Sequence, residues 1–398
     1  MKQAFGEYYT KEFPFNENLS MIERREFGFA TFEGWMLRHK SFDAKKELVS
    51  FLGDCVPKDA FFSCAYYQDP LAEMERKGWL GADLIFDIDA DHIPTSCDKV
   101  HDQWTCGNCG FAGRGIVPAN CPVCGSEKFD ESTWPCEVCL ASAKYETVKL
   151  LDMLMKDFGF SDKELRVFFS GHRGYHVHVE NEAVMNLDSV ARKEIVDYIT
   201  GLGLDNPFFG PIEKGSKMLN VTDPGWRGRI ARGIKEFVAE AKVEDYRNIG
   251  LKGNFADTMV KGRTAILKNL NESRSWEAIK GVGAETWRRI VEHCIMSQSA
   301  SIDTVVTTDT HRLIRLGSTL HGKTGLKKTE FPVSAIEGFD PFKSATAFKK
   351  GKATILISDA PEFRLDDQTF GPYKNQKVEL PMAAAILLVC RKRAEVTE

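Results

Sequence analysis

Residues of the types that bind zinc are concentrated between positions 97 and 139, and their spacing restricts how this segment can fold. Two Cys-x2-Cys pairs separated by eleven residues, with glycines in the turns, are typical of a zinc ribbon. They supply an inner site of Cys106, Cys109, Cys121 and Cys124. Four further ligands flank the ribbon and can close an outer tetrahedral site at its base: Cys97, His101, Cys136 and Cys139. We therefore predict two zinc ions in this segment.

Two other interpretations of these cysteines stay open. Cys124 and Cys136 are also separated by eleven residues, so the two sites could exchange ligands. Disulfide bonds in a secreted module are the second alternative. The first fifteen residues mix charged and aromatic side chains, unlike a signal peptide, and the rest of the chain is charged and poor in cysteine. We therefore expect a cytoplasmic protein whose cysteines bind zinc.

A short apolar strand with two carboxylates directly precedes the zinc-ligand segment. Side chains alternate along the sequence Leu-Ile-Phe-Asp-Ile-Asp at positions 84–89, so Asp87 and Asp89 share one face. Two adjacent carboxylates repel each other, and a divalent cation relieves that repulsion. Polymerases and nucleases use such metal sites for phosphoryl transfer. The pattern predicts a Mg²⁺ or Mn²⁺ site next to the zinc sites.

Length and charge are consistent with an enzyme that handles nucleic acid. The chain has 398 residues, which is enough for more than one domain of ~100–200 residues. Hydrophobic residues make up 43% of it, which is enough to fill a large core. The net charge is −4, but the segment 311–352 holds nine lysines and arginines against three acidic residues. Such a basic segment can bind DNA phosphates, although it can also be a solvated surface. Within it, we expect Lys327 and Lys328 to contact DNA.

The order of apolar patterns predicts a mixed α/β protein with two insertions. We expect an α/β core from residues 1–95, 140–205 and 300–398, interrupted by a zinc-binding module at 96–139 and a mainly helical insertion at 206–299. The β-branched run at 303–308 is expected to be a strand that Asp303 opens. The longest apolar run near the C-terminus, 381–390, is half the ~20 residues that a membrane span needs.

A second group of polar residues occupies the segment Ser-Gly-His-Arg-Gly-Tyr-His-Val-His-Val at 170–179. Two glycines permit a tight turn whose backbone amides can approach an anion. Ser170 and Arg173 suit phosphate oxygens, while His176 and His178 share one strand face. A histidine pair for zinc is conceivable, and so is a hairpin without function. A cradle for a triphosphate fits this combination of residues better.

A third group lies between positions 303 and 325. Asp303 could complete a site of three carboxylates, Asp309 is its rival, and spacing does not choose between them. Arg315, His321 and Lys323 add positive groups for the phosphates that metal ions bridge. The alternative is that these are solvated polar residues around the end of a strand.

Taken together, the three groups resemble the catalytic small subunit of archaeal and eukaryotic DNA primase. The resemblance rests on Phe-Asp-Ile-Asp at 86–89, Ser-Gly-His-Arg-Gly-Tyr-His at 170–176, and Asp303 followed by Leu-Ile-Arg-Leu and Leu-His-Gly-Lys-Thr-Gly. The resemblance covers nearly the whole chain, and the motif sequences are most similar to the archaeal version. It implies an α/β (α+β) primase catalytic core built on a mixed sheet, with zinc-binding and mostly helical insertions.

The resemblance also implies roles for individual residues. Asp87, Asp89 and Asp303 would hold the catalytic Mg²⁺ or Mn²⁺ ions, because the family's third carboxylate lies about as far before the motif histidine as Asp303 lies before His321. The incoming nucleoside triphosphate would contact Ser170, Arg173, His176, Arg315, His321 and Arg38. The outer ligands match the family's structural zinc site, whereas the ribbon departs from the common pattern and receives no role.

The implied activity is template-directed synthesis of short primers on single-stranded DNA for replication. The implied partners are a large primase subunit in a heterodimer, the template, the primer duplex and nucleoside triphosphates. A repair-type primase-polymerase and a metal-dependent nuclease stay open as alternatives. A non-catalytic zinc-ribbon adaptor that binds nucleic acid is the alternative from a different class.

Overall fold

A computed structural model describes residues 1–14, 19–204, 219–251, 254–272 and 282–397. The described residues form two compact units. One consists of Met1–Val148, Ser161–Lys193 and Ile302–Glu398, and the other of Lys149–Phe160 and Glu194–Ser301. The expected α/β fold class with a zinc-binding insertion is confirmed, and the expected domain boundaries stay a prediction.

Helices account for most of the second unit, and further helices belong to the first. Their bounds are α1 Lys2–Glu7, α2 Lys45–Cys55, α3 Glu137–Lys156, α4 Glu182–Met185, α5 Ser189–Thr200, α6 Gly225–Glu240, α7 Val243–Asn248, α8 Phe255–Glu272, α9 Ala284–Gln298, α10 Thr304–Thr308, α11 Pro341–Ser344 and α12 Met382–Cys390. In the expected helical insertion 206–299, the segments 206–218, 252–253 and 273–281 lie outside the described residues.

Strands form several small sheets rather than one large one. Their bounds are β1 Phe27–Ala30, β2 Met36–Lys40, β3 Asp59–Ser63, β4 Ala65–Tyr67, β5 Trp79–Ala82, β6 Leu84–Asp89, β7 Gln103–Cys106, β8 Ala112–Arg114, β9 Phe129–Ser132, β10 Leu165–Phe169, β11 Gly174–Val179, β12 Leu313–Arg315, β13 Thr329–Phe331, β14 Lys352–Ala360, β15 Phe363–Leu365, β16 Gln368–Phe370, β17 Tyr373–Pro381 and β18 Ala394–Val396.

Two four-stranded sheets carry Arg38, Asp87, Asp89, His176 and Arg315. Their strand orders are β12-β3-β1-β2 and β13-β10-β11-β6, and β6 pairs antiparallel with β11. Every residue of β11 is buried, because this central strand is covered on both faces. The acidic strand predicted at 84–89 is confirmed as β6. A separate three-stranded sheet, β8-β7-β9, forms the body of the zinc ribbon.

A buried arginine fixes the start of the acidic strand β6. Arg25 has no exposed side-chain surface and donates hydrogen bonds to Asp83 at 2.7 Å and to the Tyr66 hydroxyl at 2.6 Å. Asp83 directly precedes β6. A buried charge is stable only when it is paired and hydrogen-bonded, so this network holds the residue just before the strand in one position.

The predicted strand at 303–308 is wrong, because these residues form the short helix α10. Asp303 is its N-cap residue, and the carboxylate accepts hydrogen bonds from the backbone N–H groups of Val305 at 2.9 Å and Val306 at 3.3 Å. Aspartate is among the preferred N-cap residues, and strand propensity depends strongly on context. The cap therefore outweighs the β-branched residues in this segment.

Candidate active site

The paired strands β6 and β11 bring the first two groups of predicted residues together. Asp87 lies opposite His176, and Asp89 lies opposite Gly174. His176 Nε2 is 3.5 Å from Asp87 Oδ1. A Cβ atom at position 174 would lie 2.2 Å from the Ile88 carbonyl oxygen, so only glycine allows the strands to approach this closely. The pairing register thus sets the distance between the acidic strand and the 170–174 turn.

Asp303 joins the same site from a distant part of the chain. Its backbone N–H donates a hydrogen bond to the Asp87 carbonyl oxygen at 2.8 Å, which attaches the start of α10 to β6. Asp309 lies at the other end of α10, where its carboxylate accepts a hydrogen bond from the His311 N–H. This placement supports Asp303 over Asp309 as the third carboxylate.

Burial and the neighbouring carboxylates change the acidity of Asp87. Burial and the charges of Asp89 and Asp303 raise the pKa of Asp87 to about 7, while Arg312 and Lys328 oppose this shift. Burial also raises the pKa of Asp89. Carboxylate oxygens are the ligands that Mg²⁺ and Mn²⁺ prefer. The arrangement therefore fits a divalent cation, which would offset the negative charge.

The raised pKa of Asp87 predicts an unusual dependence of stability on pH. Between pH 4 and 7, Asp87 is protonated in the folded state and ionised in the unfolded state, where a model carboxyl has a pKa of about 3.9. The folded state then binds more protons, so the free energy of unfolding falls as pH rises through this range. In the absence of Mg²⁺ and Mn²⁺, we expect the free energy of unfolding to fall over this pH range by an amount on the order of 2 kcal/mol.

Thermal unfolding of zinc-loaded protein at pH 5 and pH 8, with and without Mn²⁺, tests this prediction. Mn²⁺ should stabilise the protein at pH 8 and have little effect at pH 5. Asp87→Asn should reduce the difference between the two pH values. An undiminished pH dependence in that variant would assign the effect to another group.

The second and third predicted groups also contact each other. Ser170 Oγ accepts hydrogen bonds from the N–H groups of His172 at 3.3 Å and Gly174 at 3.2 Å, which closes the turn. The rings of His172 and His321 stack with centroids 5.2 Å apart, and Thr324 Oγ1 donates to the Gly171 carbonyl oxygen at 2.5 Å. The turn at 170–174 and the segment after Arg315 therefore form one surface.

His176 is buried and His321 is half-buried at this surface, and these surroundings determine their charge. Burial, together with nearby cations, lowers the pKa of His176 and of His321 well below the usual value. Both imidazoles are therefore neutral at pH 7 and act through hydrogen bonds. His321 Nδ1 accepts a hydrogen bond from the Lys323 N–H at 3.0 Å, and His176 Nδ1 has no partner among the described residues. His178 shares the face of His176, as predicted, with rings stacked at 6.3 Å.

The predicted arginines each have carboxylate partners already. Arg315 donates to Asp59 at 2.5 Å, and Arg38 donates to Glu26 at 2.8 Å. Arg173 is 1% exposed, and its terminal nitrogens pair with two carboxylates, Asp91 and Asp102. A phosphate contact by Arg173 would require one of these pairs to open, and the contact stays a prediction.

The expected DNA contact at Lys328 is wrong, because this side chain is fully buried. Its ammonium group lies 4.2 Å from the centre of the Phe168 ring and donates to the Arg315 carbonyl oxygen at 2.7 Å. A long apolar stem allows a lysine to be buried where its charge meets an aromatic face. The count of basic residues along the sequence did not reveal this burial.

Two further cations lie close to the site. Lys323 is exposed, and its charge acts on Asp89. Arg391, after the end of α12, is buried and donates weakly to the Lys323 carbonyl oxygen at 3.4 Å. Lys323 belongs to a segment that the sequence indicates. No sequence pattern pointed to Arg391, because it lies far along the chain from the other residues of the site.

The zinc ligands are grouped as predicted, which excludes the cross-paired alternative. One group is Cys97, His101, Cys136 and Cys139, and the other is Cys106, Cys109, Cys121 and Cys124. Sulfur–sulfur distances are 3.6 Å between Cys97 and Cys139 and 3.6 and 3.7 Å within the inner group. Four ligands at the usual Zn–S distance form a tetrahedron with edges of about 3.7 Å. Both groups therefore fit zinc.

Comparison with known proteins identifies the family. A family model described as DNA primase small subunit matches residues 127–333. A DNA primase small subunit PriS of Methanothrix thermoacetophila is 33% identical over 94% of this chain and 93% of its own length. The chain belongs to the DNA primase small subunit family. Family members named PriS from Nitrosopumilus maritimus and Archaeoglobus fulgidus are 30% and 34% identical, over 100% and 98% of this chain and 98% and 96% of their own lengths.

Membership of the DNA primase small subunit family confirms the resemblance drawn from the motifs. The matched segment 127–333 contains Cys136, Cys139, the 170–176 turn and Asp303, while Asp87 and Asp89 precede it. The full-length relatives extend the similarity over the acidic strand. None of the helices in the described part of the chain is both long enough and apolar enough to span a membrane.

Proposed function

We propose that this chain is the catalytic subunit of a DNA primase, a nucleotidyltransferase that synthesises short primers from nucleoside triphosphates on single-stranded DNA for replication. The observation that carries the proposal is the meeting of Asp87, Asp89 and Asp303 beside the 170–174 turn. Membership of the primase small subunit family supports it. Asp87, Asp89 and Asp303 would hold Mg²⁺ or Mn²⁺, which would supply Lewis-acid activation of the 3′-hydroxyl and neutralise charge on the triphosphate.

The residues of the chain would position the triphosphate against the carboxylates. The Ser170 hydroxyl and the amides of the 170–174 turn would donate hydrogen bonds to phosphate oxygens. His176 and His321 are neutral and would donate hydrogen bonds without adding charge. Positive charge would come from Lys323, Arg315 and Arg38. These groups would stabilise the charge that develops as pyrophosphate leaves.

A primer-synthesis assay tests the proposal. The chain is incubated with nucleoside triphosphates and a single-stranded template, alone and with a large primase subunit, and with Mg²⁺ or Mn²⁺. We expect extension of an annealed primer by the chain, and synthesis without a primer when the large subunit is present. Asp89→Asn should abolish both reactions. Zinc content is measured alongside, and two zinc atoms per chain are expected.

The alternatives predict different results in the same experiment. A nuclease would shorten the labelled oligonucleotide instead of extending it. A zinc-ribbon adaptor would bind DNA without transferring nucleotides, and Asp87→Asn would leave its binding unchanged. A repair-type primase-polymerase would start chains without gaining from the large subunit. Extension that persists in Asp89→Asn protein would contradict the proposed metal site.

A further inference from the structure

Asp102 lies between the outer zinc ligands and the acidic strand, and its two carboxylate oxygens face in different directions. It is 6% exposed. Oδ1 lies 2.8 Å from His101 Nδ1 and accepts a hydrogen bond from the Trp134 N–H at 2.7 Å. Oδ2 accepts a hydrogen bond from Arg173 Nη1 at 2.7 Å. One buried carboxylate thus contacts a zinc-ligand histidine and the arginine of the 170–174 turn.

The contacts continue from Arg173 to the catalytic strand. Arg173 Nη2 pairs with Asp91, and the Asp91 N–H donates a hydrogen bond to Asp89 Oδ1 at 2.9 Å. The Arg173 carbonyl oxygen accepts a hydrogen bond from the Ala90 N–H at 3.2 Å. An unbroken series of polar contacts therefore connects the outer zinc ligands with Asp89.

At the zinc end, the geometry assigns a definite role to Asp102. His101 Nε2 lies 3.5 Å from the sulfur atoms of both Cys97 and Cys139, so this nitrogen faces the position of the metal. The opposite nitrogen, Nδ1, donates to Asp102. A carboxylate in this position fixes the ring orientation of a ligand histidine and makes it a better donor to zinc.

We propose that Asp102 is a positioning residue that couples the outer zinc site to the catalytic carboxylates. By holding His101 with one oxygen and Arg173 with the other, it keeps Asp91 and Asp89 in the orientation that binds Mg²⁺ or Mn²⁺. This inference rests on the proposed function, since it takes Asp89 as a metal ligand. The outer zinc site then affects the catalytic metal site as well as the stability of the fold.

Asparagine at position 102 is the informative substitution. Both partners, His101 Nδ1–H and Arg173, are donors, and both need an acceptor. An asparagine amide offers one oxygen, and its NH₂ group faces a second donor whichever way it is turned. Asp102→Asn keeps the size of the side chain and breaks one of the two contacts. The matched control is Asp130→Asn, which changes an exposed carboxylate on β9 of the same module.

Two measurements without substrate test the coupling. The first measures zinc loss to a chromophoric chelator. The second measures Mn²⁺ binding in the absence of nucleotide and DNA, with free Mn²⁺ quantified by its electron paramagnetic resonance signal. We expect Asp102→Asn to weaken the binding of one of the two zinc ions by about tenfold, the lower end of such losses. We expect Mn²⁺ binding to weaken several-fold. The control should match the wild type in both measurements.

Arg173→Lys provides a second test that does not alter the zinc ligands or Asp102. Lysine keeps the charge but cannot contact Asp91 and Asp102 with a planar fork. We expect weaker Mn²⁺ binding with less effect on zinc. If Arg173 serves only the triphosphate, this variant would change the nucleotide KM and leave nucleotide-free Mn²⁺ binding unchanged, which would overturn the coupling.

Other results also decide between a coupled and a purely structural role. Loss of zinc with wild-type Mn²⁺ binding in Asp102→Asn would restrict this residue to the zinc site. If Asp102→Asn does not fold, Mn²⁺ binding by folded Arg173→Lys protein gives the answer alone. If the two variants show the coupling but the wild-type chain makes no primers, the proposed function is contradicted and the positioning role of Asp102 stays intact.

Discussion

Replacing Asp303 with asparagine is expected to reduce nucleotide transfer by about 10³-fold, equivalent to several kcal/mol of transition-state stabilisation by the metal ions. The reason is that Asp303 is the third carboxylate next to Asp87. Asparagine removes the charge but is also one of the best N-cap residues, so the N-terminus of α10 remains capped. The measurement is single-nucleotide extension of an annealed primer under saturating nucleotide.

Asp309→Asn is the matched control for this prediction. Asp309 is at the opposite end of the same short helix, and its carboxylate caps the His311 N–H. We expect this variant to retain most of the activity. Thermal unfolding without catalytic metal should show Asp303→Asn to be as stable as the wild type or slightly more stable, because one of three repelling charges is lost. Equal loss of activity in both variants would remove the distinction between the two carboxylates.

Local patterns in the sequence predicted the parts of the site that depend on short-range rules. Alternation along 84–89 placed Asp87 and Asp89 correctly at the end of a strand, and Cys-x2-Cys spacing gave the correct partition of the zinc ligands. Both patterns depend on backbone geometry over a few residues. They are therefore readable without knowledge of the rest of the fold.

The remaining parts depend on contacts between distant residues. Nothing near Lys328 in the sequence indicates that its charge is covered by Phe62 and Phe168, which lie on two other strands. Likewise, the two carboxylates that pair with Arg173, Asp91 and Asp102, lie 71 residues or more before it, on the far side of the zinc ribbon. The sequence singled out Arg173 but could not distinguish a phosphate ligand from the centre of a buried ion-pair network.

The two zinc sites are expected to differ sharply in their contribution to stability. The outer site joins residues after β6 to the start of α3, where Cys139 is fully buried. Structural zinc contributes several kcal/mol or more to folding in small domains. Replacing Cys136 and Cys139 with serine should therefore remove one zinc atom and strongly lower the thermal unfolding temperature. It should also weaken Mn²⁺ binding if the outer site is coupled to Asp89.

Replacing the four inner cysteines should remove the other zinc atom with a much smaller effect on the rest of the chain. Cys109 and Cys124 are exposed, and the ribbon is an insertion between the outer ligands. Elongation of a pre-annealed primer should survive this change, because the ribbon supplies none of the three carboxylates. Elemental analysis and unfolding curves measure the two losses separately. A single zinc atom in the wild type, or a ribbon variant that cannot elongate a primer, would show that this division between a structural outer site and a dispensable inner site is wrong.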